Sequence, residues 1–277
     1  MSNLLVANIK RLKKNRIFWI FVLGFFIASM FMVVMGWNVA NSRGLDRSLD
    51  YYYFRTMMYA GLLYAAFISL FVGTEFSDGT VRNKLVVGHS RRNVYISNLL
   101  TNYLAITGLV IAWLIGGMAG IPLFGLWEVG IKGWAIDSLV ILYASFVSAS
   151  IYTLLAHCNT SKASCAVVSI LLEFVLLMAS SYFYSALLEP ETTYSFMEFS
   201  GEGVTKGDII QNPAYVSGMM RGVYEWIVRI LPNGQIAKVG LDFADLNGQG
   251  VMIAVSLVFS VIISFIGCML FEKKDLK

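Results

Sequence analysis

The residues best suited to engage another molecule are not nucleophiles or metal ligands. They are cations and hydrogen-bonding groups gathered in one polar insert, 73–98, between two apolar runs. Glu75, Thr80, Arg82, Asn83, Lys84, Ser90, Arg91 and Arg92 all fall there. Guanidinium and ammonium groups make ion pairs, so the chemistry is recognition: of acidic side chains on a soluble partner, or of lipid phosphates at the membrane surface. Ser77-Asp78-Gly79 signals a turn, and 80–87 is long enough for about two helical turns. Gly88 then offers a left-handed stop and Ser90 can cap the next helix. A short surface helix in the loop 77–97 is a handle for a soluble partner.

Two other places carry candidate residues. Glu173 is the one carboxylate deep in an apolar stretch, Leu-Leu-Glu-Phe-Val-Leu-Leu. A carboxylate in lipid is costly, so it marks either a functional site or a side chain paired or protonated inside a helix bundle. Asp137 lies near the end of its stretch, where no special account is needed. The second place is the segment 189–250. There Asn212-Pro213 reads as a helix opening, and Tyr215, Met219, Val223, Trp226, Ile227 and Ile230 recur at helical spacing. Arg221, Glu225 and Arg229 form an i, i+4 ladder on another face. Pro232-Asn-Gly234 reads as the end of that helix, 213–231, and a further piece, 235–243, runs on. The helix is too polar to cross a bilayer. It is expected on the surface or dipping partway in under cover of other helices, as a gate, a lid or a structural cap.

Several chemistries find no support. The chain has no G-x-x-x-x-G-K-[ST] phosphate cradle. Its two histidines, His89 and His157, sit in different loops, and neither H-E-x-x-H nor C-x-x-C occurs. No catalytic group, metal site or cofactor of its own is expected. Basic residues are split among loops, which does not fit nucleic acid.

The elements that must position these residues are membrane helices. Hydrophobic residues make up 57% of the 277, charged ones only 14%, and mean hydropathy is +0.69. Soluble domains carry about 25% charged residues. Six stretches reach the length needed to span, 17–37, 57–76, 99–124, 134–156, 165–188 and 251–271, leaving little for a second domain. The basic leader 1–16 groups Leu5, Ile9 and Leu12 on one arc, with Lys10, Arg11, Lys13 and Lys14 opposite. It reads as an interfacial helix or a plain retention signal, and the first span as a retained anchor. Leader, polar insert, Lys162 and the tail lysines Lys273, Lys274 and Lys277 all fall on one side. Glu189, Glu191, Glu198, Glu202, Asp208, Glu225, Asp242 and Asp245 outnumber cations in 189–250 on the other. The positive-inside rule then puts both termini in the cytoplasm. Cys158, Cys165 and Cys268 lie near inner span ends and are expected as free thiols. Gly116-x-x-x-Gly120 and the small residues Ala144, Ser145, Ser148, Ala149, Ser150 and Thr153 are packing signals.

Glu75-Phe-Ser-Asp-Gly-Thr-Val-Arg-Asn-Lys-Leu85, with Gly88-x-Ser-Arg91 and Tyr95-x-Ser-Asn98, resembles the first cytoplasmic loop of type-2 ATP-binding cassette permeases. It is similar in particular to bacterial members associated with bacitracin and lantibiotic export or immunity. Leu231-Pro-Asn-Gly-Gln235 is similar to the stretch before their last span. The resemblance implies an all-α polytopic membrane protein with six transmembrane helices. It also implies an N-terminal interfacial helix, a cytoplasmic coupling helix and an extracytoplasmic amphipathic helix before the last span, in one permease domain, 1–277. It implies a partner P-loop ATPase in two copies carrying ATP and Mg, and a second permease, identical or homologous. In that reading Glu75, Thr80, Arg82, Asn83, Lys84, Ser90, Arg91 and Arg92 couple to the ATPase. Glu173, Met219, Trp226 and Pro232 line a transport path or gate. The implied cargo is hydrophobic or amphipathic, a lantibiotic-like peptide first and lipids or drugs second.

Overall fold

Apolar runs too long for a soluble core form six helices that are long and apolar enough to cross a membrane: Arg16–Arg43, Leu49–Ser77, Arg91–Phe124, Gly130–Cys158, Lys162–Leu188 and Gln249–Lys273. This makes the chain a multi-pass membrane protein by length and composition. The computed structural model describes residues 1–45, 48–200, 203–242 and 246–275; Glu202, Phe243, Asp245 and Lys277 lie outside them, as does the side chain of Glu198. Every span is longer than its apolar core predicts, because helical hydrogen bonding continues into polar flanks until a stop signal intervenes. The first helix runs on to Arg43, where Gly44 adopts φ 60° and its N–H caps Ala40 and Asn41.

In chain order the helices are α1 (Ser2–Lys14), α2 (Arg16–Arg43), α3 (Leu49–Arg55), α4 (Ala60–Ser77), α5 (Thr80–Val86) and α6 (Arg91–Gly117). They continue as α7 (Ile121–Phe124), α8 (Gly130–Cys158), α9 (Lys162–Leu188), α10 (Gly218–Ile230), α11 (Pro232–Leu241) and α12 (Gln249–Lys273). Short 3-10 turns at Thr56–Tyr59 and Met118–Gly120 join α3 to α4 and α6 to α7. The spans containing α4 and α8 form the centre: 61% of their apolar windows are buried, against 22% for α2, α9 and α12, whose apolar faces point outward. Small residues permit this packing. A Cβ on Gly116 would strike the backbone of Phe26 in α2, and Ser145, Ser148, Ser150 and Thr153 of α8 are all buried. Tyr103 of α6 pairs with Ser150 at 2.6 Å, and Asn102 donates to Thr153 at 2.8 Å.

Both termini sit at one end of the bundle, called here the termini end. At the far end the segment between α9 and α12 departs from expectation twice. Strands β1 (Thr192–Tyr194), β2 (Met197–Ser200), β3 (Gly203–Lys206) and β4 (Ile209–Gln211) pair antiparallel, β1 with β4 and β2 with β3. Ser195 and Gly207 donate backbone hydrogen bonds to Asp208 and Phe196, so the two ladders share one register and form a single hairpin. In addition, Asn212-Pro213 does not open a helix. The Asn212 side chain accepts from Ala214 N–H in a turn, and α10 starts only at Gly218.

Pro232 does not merely end α10; it is the first residue of α11, where a missing N–H loses no hydrogen bond. The two helices form a re-entrant hairpin. Arg221, near the start of α10, reaches the carbonyl of Leu187 at the far end of α9. Asn233, at the start of α11, donates at 2.7 Å to Glu173. Glu173 lies about four turns, roughly 22 Å, below the end of α9. The chain then climbs back, and Gly240 packs against the backbone of Arg55 in α3. α11 is buried among the other helices, whereas α10 keeps its apolar side exposed.

Candidate functional site

At the termini end the site is built on Glu75, in the last turn of α4. A carboxylate here is 1% exposed and accepts from both Arg11 of α1 and Lys84 of α5 at one oxygen. Its other oxygen accepts from Asn98 of α6 at 2.9 Å. Asn8 of α1 extends the network, donating to Asn98 at 2.7 Å and Ser97 at 2.9 Å while accepting from Lys84 at 3.1 Å. Asn98 also meets His157 Nε2 at 3.3 Å, and His157 Nδ1 contacts the Thr153 carbonyl at 2.8 Å, an arrangement that suits the Nδ1–H tautomer. Phe76, Tyr95 and Phe271 surround that imidazole. Lys274, just past α12, donates at 2.8 Å to the carbonyls of His157 and Asn159. One buried polar network therefore ties α1, α4, α5, α6, α8 and the C-terminal tail together.

Burial lowers the pKa of Lys84 from its ordinary value, although Glu75 opposes the shift. Burial likewise lowers Arg11, again against the pull of Glu75, but a guanidinium stays charged. The hub therefore holds two cations on one carboxylate. The second cation is stabilised by carbonyl oxygens, as where Arg11 approaches the Phe71 carbonyl at 3.4 Å and stacks on the Phe71 ring at 3.9 Å.

Glu75 and Lys84 bind each other inside the molecule. One expectation is corrected: Arg11 does not share the outer face of α1 with Lys10, Lys13 and Lys14. The buried arc of α1 is Leu4, Asn8 and Leu12, with Leu5 and Ile9 only half-buried. The other residues of the loop separate into two groups. Gly79 (φ 69°) and Gly88 (φ 98°) bound α5 as its sequence predicts. Beyond them Arg82 and Asn83 are exposed, and Val86 and Val87 are each 79% exposed at the helix tip; Thr80 is half-buried. Ser90 accepts from Asn93 N–H at 3.2 Å and caps α6. Arg91 donates to the carbonyls of Glu272 and Lys274, tying the tail, while Arg92 stays exposed.

The far-end candidates lie apart from this hub. Glu173 is fully buried between Tyr152, which donates to it, and Asn233. A Cβ on Gly61 of α4 would collide with its carboxyl group. Of its two readings from sequence, the geometry matches the carboxylate paired inside the bundle. Pro232 is buried, whereas Met219 and Trp226 are 87% and 52% exposed on the outer face of α10. Asp137 does need an account: it is fully buried and accepts from Gln249 of α12. Asn8 carries the network without having been singled out, and Asn98, Asn233 and Gln235 enter the sequence reading only as motif members, with no role given. A polar residue at a core position of a helical pattern was the available signal, as with Asn8 midway between Leu4 and Leu12.

Fold and site thus define the class, a six-helix multi-pass membrane protein with an exposed surface helix braced from within. No known family model matches the chain, and no curated protein matches it significantly. Cys158, Cys165 and Cys268 are free thiols, the first exposed and the second buried.

Proposed function

We propose that this chain is the membrane-spanning subunit of an ATP-driven exporter in a bacterial plasma membrane, with both termini cytoplasmic. The observation that carries the reading is the contrast on α5. Its Lys84 is locked to Glu75 in the bundle, while Arg82, Asn83, Val86 and Val87 stand in solvent. A short helix exposing two adjacent valines away from the apolar spans loses free energy unless a partner covers them. Docked on a P-loop ATPase, such a helix passes a push directly to α4 and α6, and through Asn8 and Arg11 to α1. Two ATPase subunits would supply the ATP and Mg chemistry, and a second permease, identical or homologous, would complete the path. Glu75 and Lys84 then act as positioning residues, and Arg82, Asn83, Val86 and Val87 as the contact surface. Cargo is hydrophobic or amphipathic, a lantibiotic-like peptide in the first instance, with lipid or drug efflux as the alternative.

The test is reconstitution. The purified chain in liposomes is expected to be inert alone and to move cargo only with a nucleotide-hydrolysing partner. ATP-independent flux through the chain by itself would replace this reading with a channel.

A further inference from the structure

The re-entrant hairpin reverses the usual order of an amphipathic surface helix. Met219, Met220, Val223 and Trp226 of α10 are exposed, whereas its charged stripe, Arg221, Glu225 and Arg229, is half-buried and turned into the protein. That stripe lines a cavity of ≈ 310 Å³ enclosed by α10, α11 and the ends of α9 and α12. Lys238 and Asp242 line it from the α11 side. Among the described residues the lining holds three cations and two carboxylates.

The distribution within the cavity favours an anion. Glu225 stands opposite both Arg221 and Arg229, at 3.8 Å from each, beyond hydrogen-bond reach, and Asp242 is the second carboxylate of the lining. Arg221 spends its donors on the carbonyls of Val216 and Leu187. Arg229 donates no hydrogen bond among the described residues and rests its guanidinium against the Trp226 ring at 5.5 Å from the centroid. A guanidinium fork at membrane depth is expected to face a polar cavity and to find a planar or tetrahedral oxyanion. Leu187, Leu188 and Val228 line the same cavity, so an oxyanion carried on an acyl chain finds both polar and apolar contacts there.

We infer that this cavity binds the phosphate headgroup of an amphiphile from the leaflet at the far end, with Arg229 and Arg221 as its anion ligands. The inference concerns a binding site and does not rest on export or on an ATPase partner.

The test uses the full chain purified in a maltoside detergent, free of phospholipid, and calorimetric titration with dihexanoyl phosphatidic acid. Saturable binding is expected, weakening as salt is raised. Arg229→Gln should lower affinity about tenfold, Arg229→Lys less, and Glu225→Gln should tighten binding by removing the competing carboxylate. Dihexanoylglycerol, lacking phosphate, should bind far more weakly, and so should inorganic phosphate, lacking chains. Equal binding of the diglyceride overturns the proposal, and phosphate alone binding as tightly makes this a free-anion pocket. If Arg229→Gln does not fold, the wild-type salt dependence and Glu225→Gln decide. Salt-insensitive binding with no tightening refutes the assignment.

Discussion

Replacing Glu75 by Gln tests the hub most directly. The substitution keeps the shape of the side chain but removes the charge that Arg11 and Lys84 share. The new amide N–H₂ also faces the Asn98 N–H₂, which donates to Glu75 at present, so a donor meets a donor. Breaking a buried ion pair by removing one partner costs about 3–5 kcal/mol. Arg11 is 31% exposed and can turn toward water, whereas Lys84 is only 13% exposed. The lower end, about 3 kcal/mol, is therefore expected. For a chain of this size that corresponds to a fall in Tm of roughly 6–12 °C. Unfolding can be followed by the reactivity of Cys165, which is 1% exposed, in a Cys158→Ser, Cys268→Ser background. Adding Lys84→Met should recover part of the loss, because the lysine no longer needs a partner, with a coupling of about 0.5–3 kcal/mol. If Glu75 and Lys84 served only to contact a soluble partner, Glu75→Gln would leave the isolated chain unchanged. A Tm shift under about 2 °C would refute the internal brace.

Three further outcomes are expected. Arg82→Glu and Val86→Asp change exposed positions, so stability should stay within about 0.5 kcal/mol while co-purification of the proposed ATPase partner is lost; retained co-purification would move the proposed docking surface elsewhere. Gly61→Ala should cost about 1–3 kcal/mol by collision with the Glu173 carboxyl, and much less in a Glu173→Ala background; additive losses in the same thermal scan would show that the two do not touch. In intact cells an impermeant thiol reagent should label Asp208→Cys in the exposed strand hairpin, while Cys158 reacts only after lysis; the opposite pattern reverses the topology.

How much was legible in the sequence varied with the range of the interaction. The turns at Gly79 and Gly88 are local, and the cap from Ser90 is set within three residues, so α5 and the start of α6 could be read directly. The six spans follow from composition, though not their ends, because polar flanks stay helical. Which way a lysine points is not local. Lys84 folds back to Glu75, on the preceding helix, at a point where α1 also brings Asn8 from a position remote in sequence. The far-end hairpin of strands was hidden because its strands are only three or four residues long. In α11, Pro232 and Gly234 read as breakers. Proline is tolerated at the first helical position, and glycine is required where its Cα meets the backbone of Val228.

The buried hairpin also constrains the order in which the protein is made. α11 is too short and too polar to enter the bilayer as a span, so it cannot insert as it leaves the ribosome. Its polar side chains find their partners on helices made before and after it. Asn233 binds Glu173 of α9, and Gln235 accepts from Ser256 of α12 at 2.8 Å. Gln235 therefore reaches this partner only once α12 is in place, whereas the neighbours of α11 in α3, α8 and α9 are already made. Completion of α12 thus adds a buried hydrogen bond to a part of the protein translated before it.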